Sequence, residues 1–239
     1  MKMTGYDENN RLVRLPESLD EYYSGAAKRF AHITGVIFVP EEFEVSGGFA
    51  RGDFGLLRAF LADHDRKITV RISRDKVLSG EDLVLFFPDF LYGFVEDTFA
   101  RAIHHKIEGS GYACRECVGK REIRLREYDR LFGRVADDDM TAAFEMGMGR
   151  LLYPTDLAEN NKAQMEAFMK ENDLGLLDFL AREPDGAEER AAYLTEHELL
   201  DREHIGKALP MFSDTAHAQT VAALLAYVNK KRKRKRFVL

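Results

Sequence analysis

Residues 202–229 read REHIGKALPMFSDTAHAQTVAALLAYVN, and apolar side chains recur in this segment at intervals of three and four residues. Two sets follow the spacing, namely Ile205, Ala208, Leu209 and Phe212, and then Val221, Leu224, Leu225 and Val228. On a helix with 3.6 residues per turn, such a set forms one apolar face. The segment therefore predicts two amphipathic helices, each of which must pack against other helices to bury that face.

The same interpretation extends upstream to Thr141. Met165, Phe168 and Met169 repeat the spacing, and Pro154 ends the helix before them. The carboxylates of residues 137–139 favour the start of a helix, because they accept hydrogen bonds from its free N–H groups. We predict helices at residues 140–152, 160–172, 174–182, 187–194, 202–212 and 216–230.

Residues 19–135 combine strand and helix signals. Ile68, Val70 and Ile72 alternate with polar residues, which predicts a half-buried strand. Further strands are predicted at residues 36–39 and 122–125, and helices at residues 19–31, 54–62 and 89–106. The fold class is therefore α+β, with a mixed N-terminal α/β domain and an all-helical C-terminal region.

The 239 residues allow one or two domains. We divide the chain into a flexible N-terminus (1–18), an α+β domain (19–135), a helical repeat-like domain (136–229) and a basic tail (230–239). The composition, 45% hydrophobic and 32% charged, is typical of a globular protein. With no apolar run of about 18 residues and only two cysteines, we expect no membrane span and a cytoplasmic location.

The helical region resembles ankyrin-like and HEAT-like repeat proteins over residues 141–229 at most. The apolar set that begins at Met165 recurs forty positions later at Ile205, close to the HEAT period. The segment HAQTVAALL, His217–Leu225, is similar to the second helix of an ankyrin hairpin, although Ala208–Met211 stands where the first helix would carry its TPLH signature. The resemblance implies a helical array that binds another protein. An irregular helical bundle is the alternative.

Cys114 and Cys117 form a CxxC motif followed by Gly119, which resembles one half of a zinc ribbon. Zinc needs four ligands, and the chain has no further cysteine. His104 and His105 are the candidate additional ligands, so these four residues form a hypothetical zinc site. The alternative is a pair of reduced, half-buried cysteines in a turn without any cofactor.

The tail carries seven consecutive cations, Lys230, Lys231, Arg232, Lys233, Arg234, Lys235 and Arg236. The net charge is −6, so the chain without these seven residues carries −13. The run can contact nucleic-acid phosphates, an anionic membrane surface or the acidic remainder of the chain. A solvated helix end is the favoured interpretation, because cations stabilise the C-terminal end of a helix dipole.

The sequence contains no linear motif of a known catalytic site. GxSxG, HExxH, P-loop and dinucleotide-binding patterns are all missing, so nothing in it favours an enzyme. We expect a non-catalytic protein–protein interaction module built on stacked helices. The alternative is a metal- or nucleic-acid-binding protein that uses Cys114, Cys117 and the basic tail.

Overall fold

The computed structural model describes residues 2–24, 30, 32–73, 82–97, 102–183, 185–212 and 217–235, of which residues 94–97, 102–105 and 231–235 are described by their backbone alone. The fold is α+β. The chain divides into two compact units, Met1–Asn161 and Lys162–Leu239. No helix in the described ranges is long and apolar enough to cross a membrane.

The first unit contains all the described strands and the helices that precede residue 153. The strands are β1 (Lys2–Asp7), β2 (Leu12–Arg14), β3 (Ile33–Val39), β4 (Phe43–Ser46), β5 (Phe49–Gly52), β6 (Ile68–Ile72), β7 (Leu83–Phe87), β8 (Leu91–Asp97), β9 (Ala102–Glu108) and β10 (Glu122–Arg124). The helices are α1 (Leu19–Tyr23), α2 (Gly55–Ala62), α3 (Gly111–Glu116), α4 (Leu125–Arg130), α5 (Phe132–Asp138) and α6 (Met140–Leu152).

A five-stranded sheet with the order β2-β1-β3-β6-β7 forms the centre of this unit. Its neighbours are antiparallel except for β3 and β6, which are parallel. A parallel pair needs a crossover connection, and here the connection includes the β4–β5 hairpin and α2. In this hairpin, β5 is the central strand and β4 an edge strand of a second sheet, whose strand order is β10-β5-β4.

The alternating pattern of β6 gives the expected half-buried strand. Ile68, Val70 and Ile72 are fully buried, while Thr69 and Arg71 between them are partly exposed. The predicted strands at residues 36–39 and 122–125 and the predicted helix at 54–62 are also confirmed, as β3, β10 and α2. Apolar residues on one or both faces of these elements supply the core of the unit.

The predicted helix at residues 89–106 is wrong, because this segment forms the antiparallel hairpin β8–β9. The spacing of Leu91 and Val95 fits a helical face, but the segment LYGFVED has aromatic and β-branched residues and a central glycine. Glycine weakens a helix, whereas aromatic and β-branched residues favour a strand. The segment therefore pairs with β9 as a strand, with Tyr92 opposite Ile107, and does not form the predicted helix.

The N-terminal residues are part of the sheet and not the flexible segment that we predicted. Strand β1 pairs with both β2 and β3, and Met3 is buried. The boundary between the units also lies further along the chain than the predicted position at 135/136. Helix α6 packs against β7 and α5, so it belongs to the first unit.

Two buried arginines hold distant parts of the first unit together. Arg150 on α6 is 0% exposed and makes a bidentate pair with Asp129, with Nε–Oδ1 and Nη2–Oδ2 distances of 2.7 and 3.2 Å. Arg115 on α3 donates hydrogen bonds to four backbone carbonyls, those of His64, Arg66, Pro88 and Gly111. Both side chains are anchored by groups that lie far from them in sequence.

The described elements of the second unit are all helical. They are α7 (Glu159–Glu171), whose first turn crosses the boundary, α8 (Asp173–Arg182), α9 (Ala187–Glu196), α10 (Arg202–Ala208) with a 3-10 turn at Leu209–Met211, and α11 (Ala218–Lys235). The helical spacing of the sequence is therefore confirmed. Its buried positions include Met165, Leu176, Leu180, Ile205 and Leu224.

These helices form two consecutive hairpins, α8–α9 and α10–α11, that stack on each other. Helix α10 packs on α8, and α11 packs on α9. Helix α8 begins at Asp173 and α10 at Arg202, 29 positions later, while α9 and α11 begin 31 positions apart at Ala187 and Ala218. The helices that pack on each other thus begin about 30 residues apart. The predicted recurrence at forty positions relates α10 to α7, whereas α10 packs on α8, and a true repeat stays a prediction.

Candidate functional site

A polar cleft in the second unit is the candidate functional site. Its volume is about 910 Å³. The last turn of α7, the first residue of α8, the α9–α10 connection, the start of α10 and one residue of α11 form its walls. The lining residues are Lys170, Glu171, Asp173, Glu198, Leu200, Asp201, Arg202, Glu203, His204 and Tyr227.

The centre of this cleft is a hydrogen-bonded pair, Asp173 and His204. Asp173 is only 3% exposed, and its Oδ1 lies 2.6 Å from Nδ1 of His204. Its second oxygen, Oδ2, accepts a hydrogen bond from the backbone N–H of Asp201 at 2.6 Å. One carboxylate at the start of α8 is therefore bonded to both the N-cap and the first turn of α10.

Helix α10 has a well-formed N-terminus because Asp201 caps it. The Oδ1 of Asp201 accepts a hydrogen bond from the backbone N–H of Glu203 at 2.7 Å and a longer one from that of His204. The preceding connection turns sharply at Glu198, whose φ is +55°. This turn directs the chain from the end of α9 to the capped start of α10.

Tyr227 on α11 closes one side of the cleft. Its hydroxyl donates a hydrogen bond to the carbonyl of Leu200 at 3.3 Å. The guanidinium carbon of Arg202 lies 6.0 Å from the centre of its ring, within the range of a cation–π contact. The second hairpin thus contributes both an aromatic surface and a cation to the same site.

The cleft is charged and has an excess of carboxylates. Five carboxylate residues line it, against one lysine and one arginine. His204 is partly exposed, and the Asp173 carboxylate fixes its Nδ1 as a hydrogen-bond donor. Its other ring nitrogen can then accept or donate a hydrogen bond, depending on protonation. This arrangement is suited to polar ligands and to cationic groups in particular.

Cys114 lies on α3, and Cys117 lies in the turn that follows this helix; both are buried, not half-buried as predicted. They are 0% and 3% exposed, and the thiol of Cys117 contacts the carbonyl of Ala113 at 3.6 Å. Burial raises the pKa of Cys114 to about 12 and that of Cys117 to about 11. Both thiols are therefore protonated near neutral pH, whereas zinc binds thiolates and a redox-active CxxC needs a lowered pKa.

His104 and His105 are consecutive residues of β9, and their side chains lie outside the described part of the structure. Consecutive residues of a strand belong to opposite faces. Among the described residues, no group of three or more histidine, cysteine or carboxylate side chains could hold a metal ion. The described side chains thus supply only two of the four donors that a zinc site needs, and the zinc site stays a prediction.

The cations of the tail continue α11. The helix includes residues 230–235, and Lys230 is exposed, while Arg236 lies outside the described residues. Tyr227 of the cleft stands one turn before Lys230 on the same helix. The structure therefore places the start of the basic run beside one wall of the cleft.

Sequence reasoning missed the residues at the centre of the cleft. The available signal was the recurrence of helix-capping residues, because Asn172 and Asp173 begin one helix and Asp201 begins another. Aspartate and asparagine are preferred at such positions. A search for pairs of caps about 30 residues apart could have pointed to both the pairing of α8 with α10 and the site.

The chain matches no known protein family, no characterised protein and no solved structure.

Proposed function

We propose that the second unit is a non-catalytic protein-binding module and that the polar cleft contacts the partner. The observation that carries this proposal is the stacking of α10 on α8 and of α11 on α9. Stacked helical hairpins present a continuous surface formed by equivalent positions of successive repeats. Such surfaces serve to bind other proteins in many repeat families.

A resemblance to ankyrin repeats is supported by the start of α10. The first ankyrin helix has the pattern T-P-L-H-x-A, and the N-cap of α10 begins the segment Asp201–Gly206, DREHIG. His204 occupies the histidine position, and Asp201 replaces the capping threonine. The second, third and sixth positions differ. In this proposal, the segment that corresponds to the TPLH signature is Asp201–His204. Ala208–Met211 lies at the end of the helix and does not correspond to it.

The chemistry of the cleft favours a cationic segment of the partner. Carboxylates outnumber permanent cations five to two in its lining, and Tyr227 offers an aromatic surface to a guanidinium, as its contact with Arg202 illustrates. Lysine and arginine side chains can form charge-assisted hydrogen bonds with such carboxylates. We therefore propose a partner that presents a lysine- or arginine-rich surface segment.

The proposal is tested by affinity capture followed by a measurement of affinity. The tagged full-length chain captures partners from cells that express it, and mass spectrometry identifies them. Each partner is then titrated against the wild type and against the variant Glu171→Lys/Glu203→Lys, which reverses two charges of the cleft. We expect this variant to bind at least tenfold more weakly.

The matched control is Glu183→Lys/Glu188→Lys, which makes the same change of net charge at exposed positions outside the cleft. It should bind the partner with the affinity of the wild type. Equal weakening by both variants would indicate a general charge effect. Unchanged binding by the cleft variant, or no specific partner for the wild type, would contradict the proposal.

A further inference from the structure

The end of α11 is a helical segment made only of cations. The helix has 18 residues, and residues 230–235, KKRKRK, form its last turns. Its earlier part belongs to the packed unit, because Thr220 and Leu224 are buried and α11 packs on α9. Asn229 and Lys230 are exposed. The six basic residues therefore extend a fixed helix by about 9 Å at 1.5 Å per residue.

The six basic positions are distributed around the whole helix axis. Successive residues of an α-helix are separated by about 100°, so six in sequence occupy every direction around the axis. Like charges three and four residues apart repel each other. The helix dipole offsets only part of this repulsion, because its favourable effect is limited to the last turn. A ligand that brings negative charge to several sides of the helix would remove the repulsion.

A membrane surface is a poor match for such a segment. A helix that binds at a bilayer interface inserts an apolar face and keeps its cations on the opposite face. Residues 230–235 include no apolar residue. Double-stranded DNA is a better match, because its major groove admits an α-helix and has phosphates along both walls.

We propose that residues 230–235 of α11 bind double-stranded DNA through its phosphates. The segment contains no asparagine or glutamine for reading adenine and no aromatic residue for stacking on bases, so base discrimination is limited to contacts of its lysines and arginines with guanine, and binding should depend little on base sequence at constant G·C content. The rest of the chain carries −12 without these six cations and is repelled by DNA. Binding is therefore confined to this segment, and it is independent of the protein-binding cleft.

The test measures the salt dependence of DNA binding by the full-length chain. A fluorescent 20-base-pair duplex is titrated by anisotropy at NaCl concentrations from 50 to 200 mM. Six phosphate contacts predict a slope of about −5 for log K against log salt concentration. Across this fourfold change in salt, the affinity should fall by roughly a thousandfold. A second duplex of unrelated sequence and the same G·C content should bind with the same affinity within about threefold.

Two variants decide whether the segment is responsible. In the first, all six residues from Lys230 to Lys235 are changed to glutamine, which keeps a high helix propensity, and circular dichroism confirms that the chain is folded. In the second, six exposed cations of the first unit are changed to glutamine, namely Arg11, Lys120, Arg121, Arg126, Arg130 and Arg134. We expect the first variant to lose binding at 50 mM NaCl and the second to retain at least a third of the wild-type affinity.

Three outcomes of the DNA titrations would overturn the proposal. They are no binding of the wild type at 50 mM NaCl, equal binding by the first variant, and an equal loss in both variants. Binding of the wild type to vesicles with anionic lipid but not to DNA would also overturn it and would indicate a membrane surface. The cleft variant Glu171→Lys/Glu203→Lys separates this result from the protein-binding proposal, because it should retain the DNA binding of residues 230–235.

Discussion

The two units of this chain differ in how regularly their tertiary contacts are spaced along the sequence. In the first unit, Arg150 pairs with Asp129, 21 positions away, and Arg115 bonds to the carbonyl of His64, 51 positions away. In the second unit, α10 packs on α8, α11 packs on α9, and Asp173 bonds to His204, 31 positions away. The comparison shows that buried arginines join parts of the first unit at unequal separations, whereas the packed helices of the second unit begin at nearly equal separations of 29 and 31 positions.

The largest effect should come from breaking the buried ion pair of the first unit. Arg150→Met leaves the carboxylate of Asp129 buried without its cation, and we expect a loss of about 3–5 kcal/mol in the free energy of unfolding. Urea unfolding followed by tyrosine fluorescence measures this, because the chain has nine tyrosines and no tryptophan, and most of the tyrosines lie in the first unit.

The double variant Arg150→Met/Asp129→Leu is the control for this experiment. Replacing both charges by apolar groups removes the unpaired buried charge, so the double variant should be more stable than the single one. A single variant that loses less than about 1 kcal/mol would contradict the importance of the pair. The same contradiction would follow if the double variant lost as much unfolding free energy as Arg150→Met and Asp129→Leu lose together when each is made alone.

A slightly smaller effect is expected at Arg115. Its planar guanidinium reaches four carbonyls and lies 5.0 Å from the ring centre of Phe90. Arg115→Lys keeps the charge but cannot span these acceptors, so we expect a loss of about 2–4 kcal/mol in the same unfolding measurement. The exposed Arg130→Lys is the control and should change stability by less than about 0.5 kcal/mol. Similar losses for both variants would contradict a specific role of Arg115.

The range of the contacts also explains which elements could be predicted from the sequence. The helices of residues 140–229 were predicted to within a few residues, because their apolar spacing is a local property. The hairpin β8–β9 was missed, because the spacing of Leu91 and Val95 fits a helical face while pairing with β9 decides the structure. Which strands pair depends on the tertiary structure, and the sequence of one segment alone does not determine it.

The buried arginines were beyond prediction for a related reason. Arginine is usually exposed, so a residue such as Arg150 near the end of α6 gives no sign that it is buried. Its burial depends on Asp129, a partner on another helix. Asp173 differs, since the sequence shows its position at a helix start, but its bond to His204 depends on the packing of α10 on α8, which the sequence does not reveal.

A pH effect of intermediate size is expected from His64 in the first unit. It is buried, stacks on Phe60 with 5.3 Å between ring centres, and its Nε2 has no hydrogen-bond partner among the described residues. Burial, and then the positive charge of Arg115, lowers its pKa from 6.5 to about 4. The unfolded histidine therefore binds a proton at a higher pH than the folded one.

The contribution to stability is complete above pH 6.5 and is lost as the pH falls from 6.5 to about 4, because only the unfolded state gains the proton in this range. Between pH 7 and pH 5 we expect the free energy of unfolding to fall by about 1–2 kcal/mol through this group. Urea unfolding of His64→Leu at the two pH values measures the difference. A variant with the same pH dependence as the wild type would exclude His64 as the source.

The smallest effect, and the one most specific to the second unit, is expected at Asp173 and His204. Asp173→Ala removes the acceptor of both the His204 ring and the N–H of Asp201, and we expect a loss of about 1–2 kcal/mol. Because α10 packs on α8, which carries Asp173, the loss should appear as local opening of α10. Hydrogen exchange should show roughly tenfold weaker protection of the Ile205 amide and unchanged protection in α2 of the first unit.

The exposed pair of Arg182 and Asp178 on α8 is a suitable control, because surface ion pairs contribute little. Arg182→Ala should leave the protection of Ile205 within about twofold of the wild type. The double variant Asp173→Ala/His204→Ala should cost less than the sum of the two single changes, because the two residues share one hydrogen bond. Additive losses, or an equal loss of protection in α2, would show that the contact between the hairpins does not stabilise the second unit locally. The contrast between the two units would then be lost, because both units would open as one.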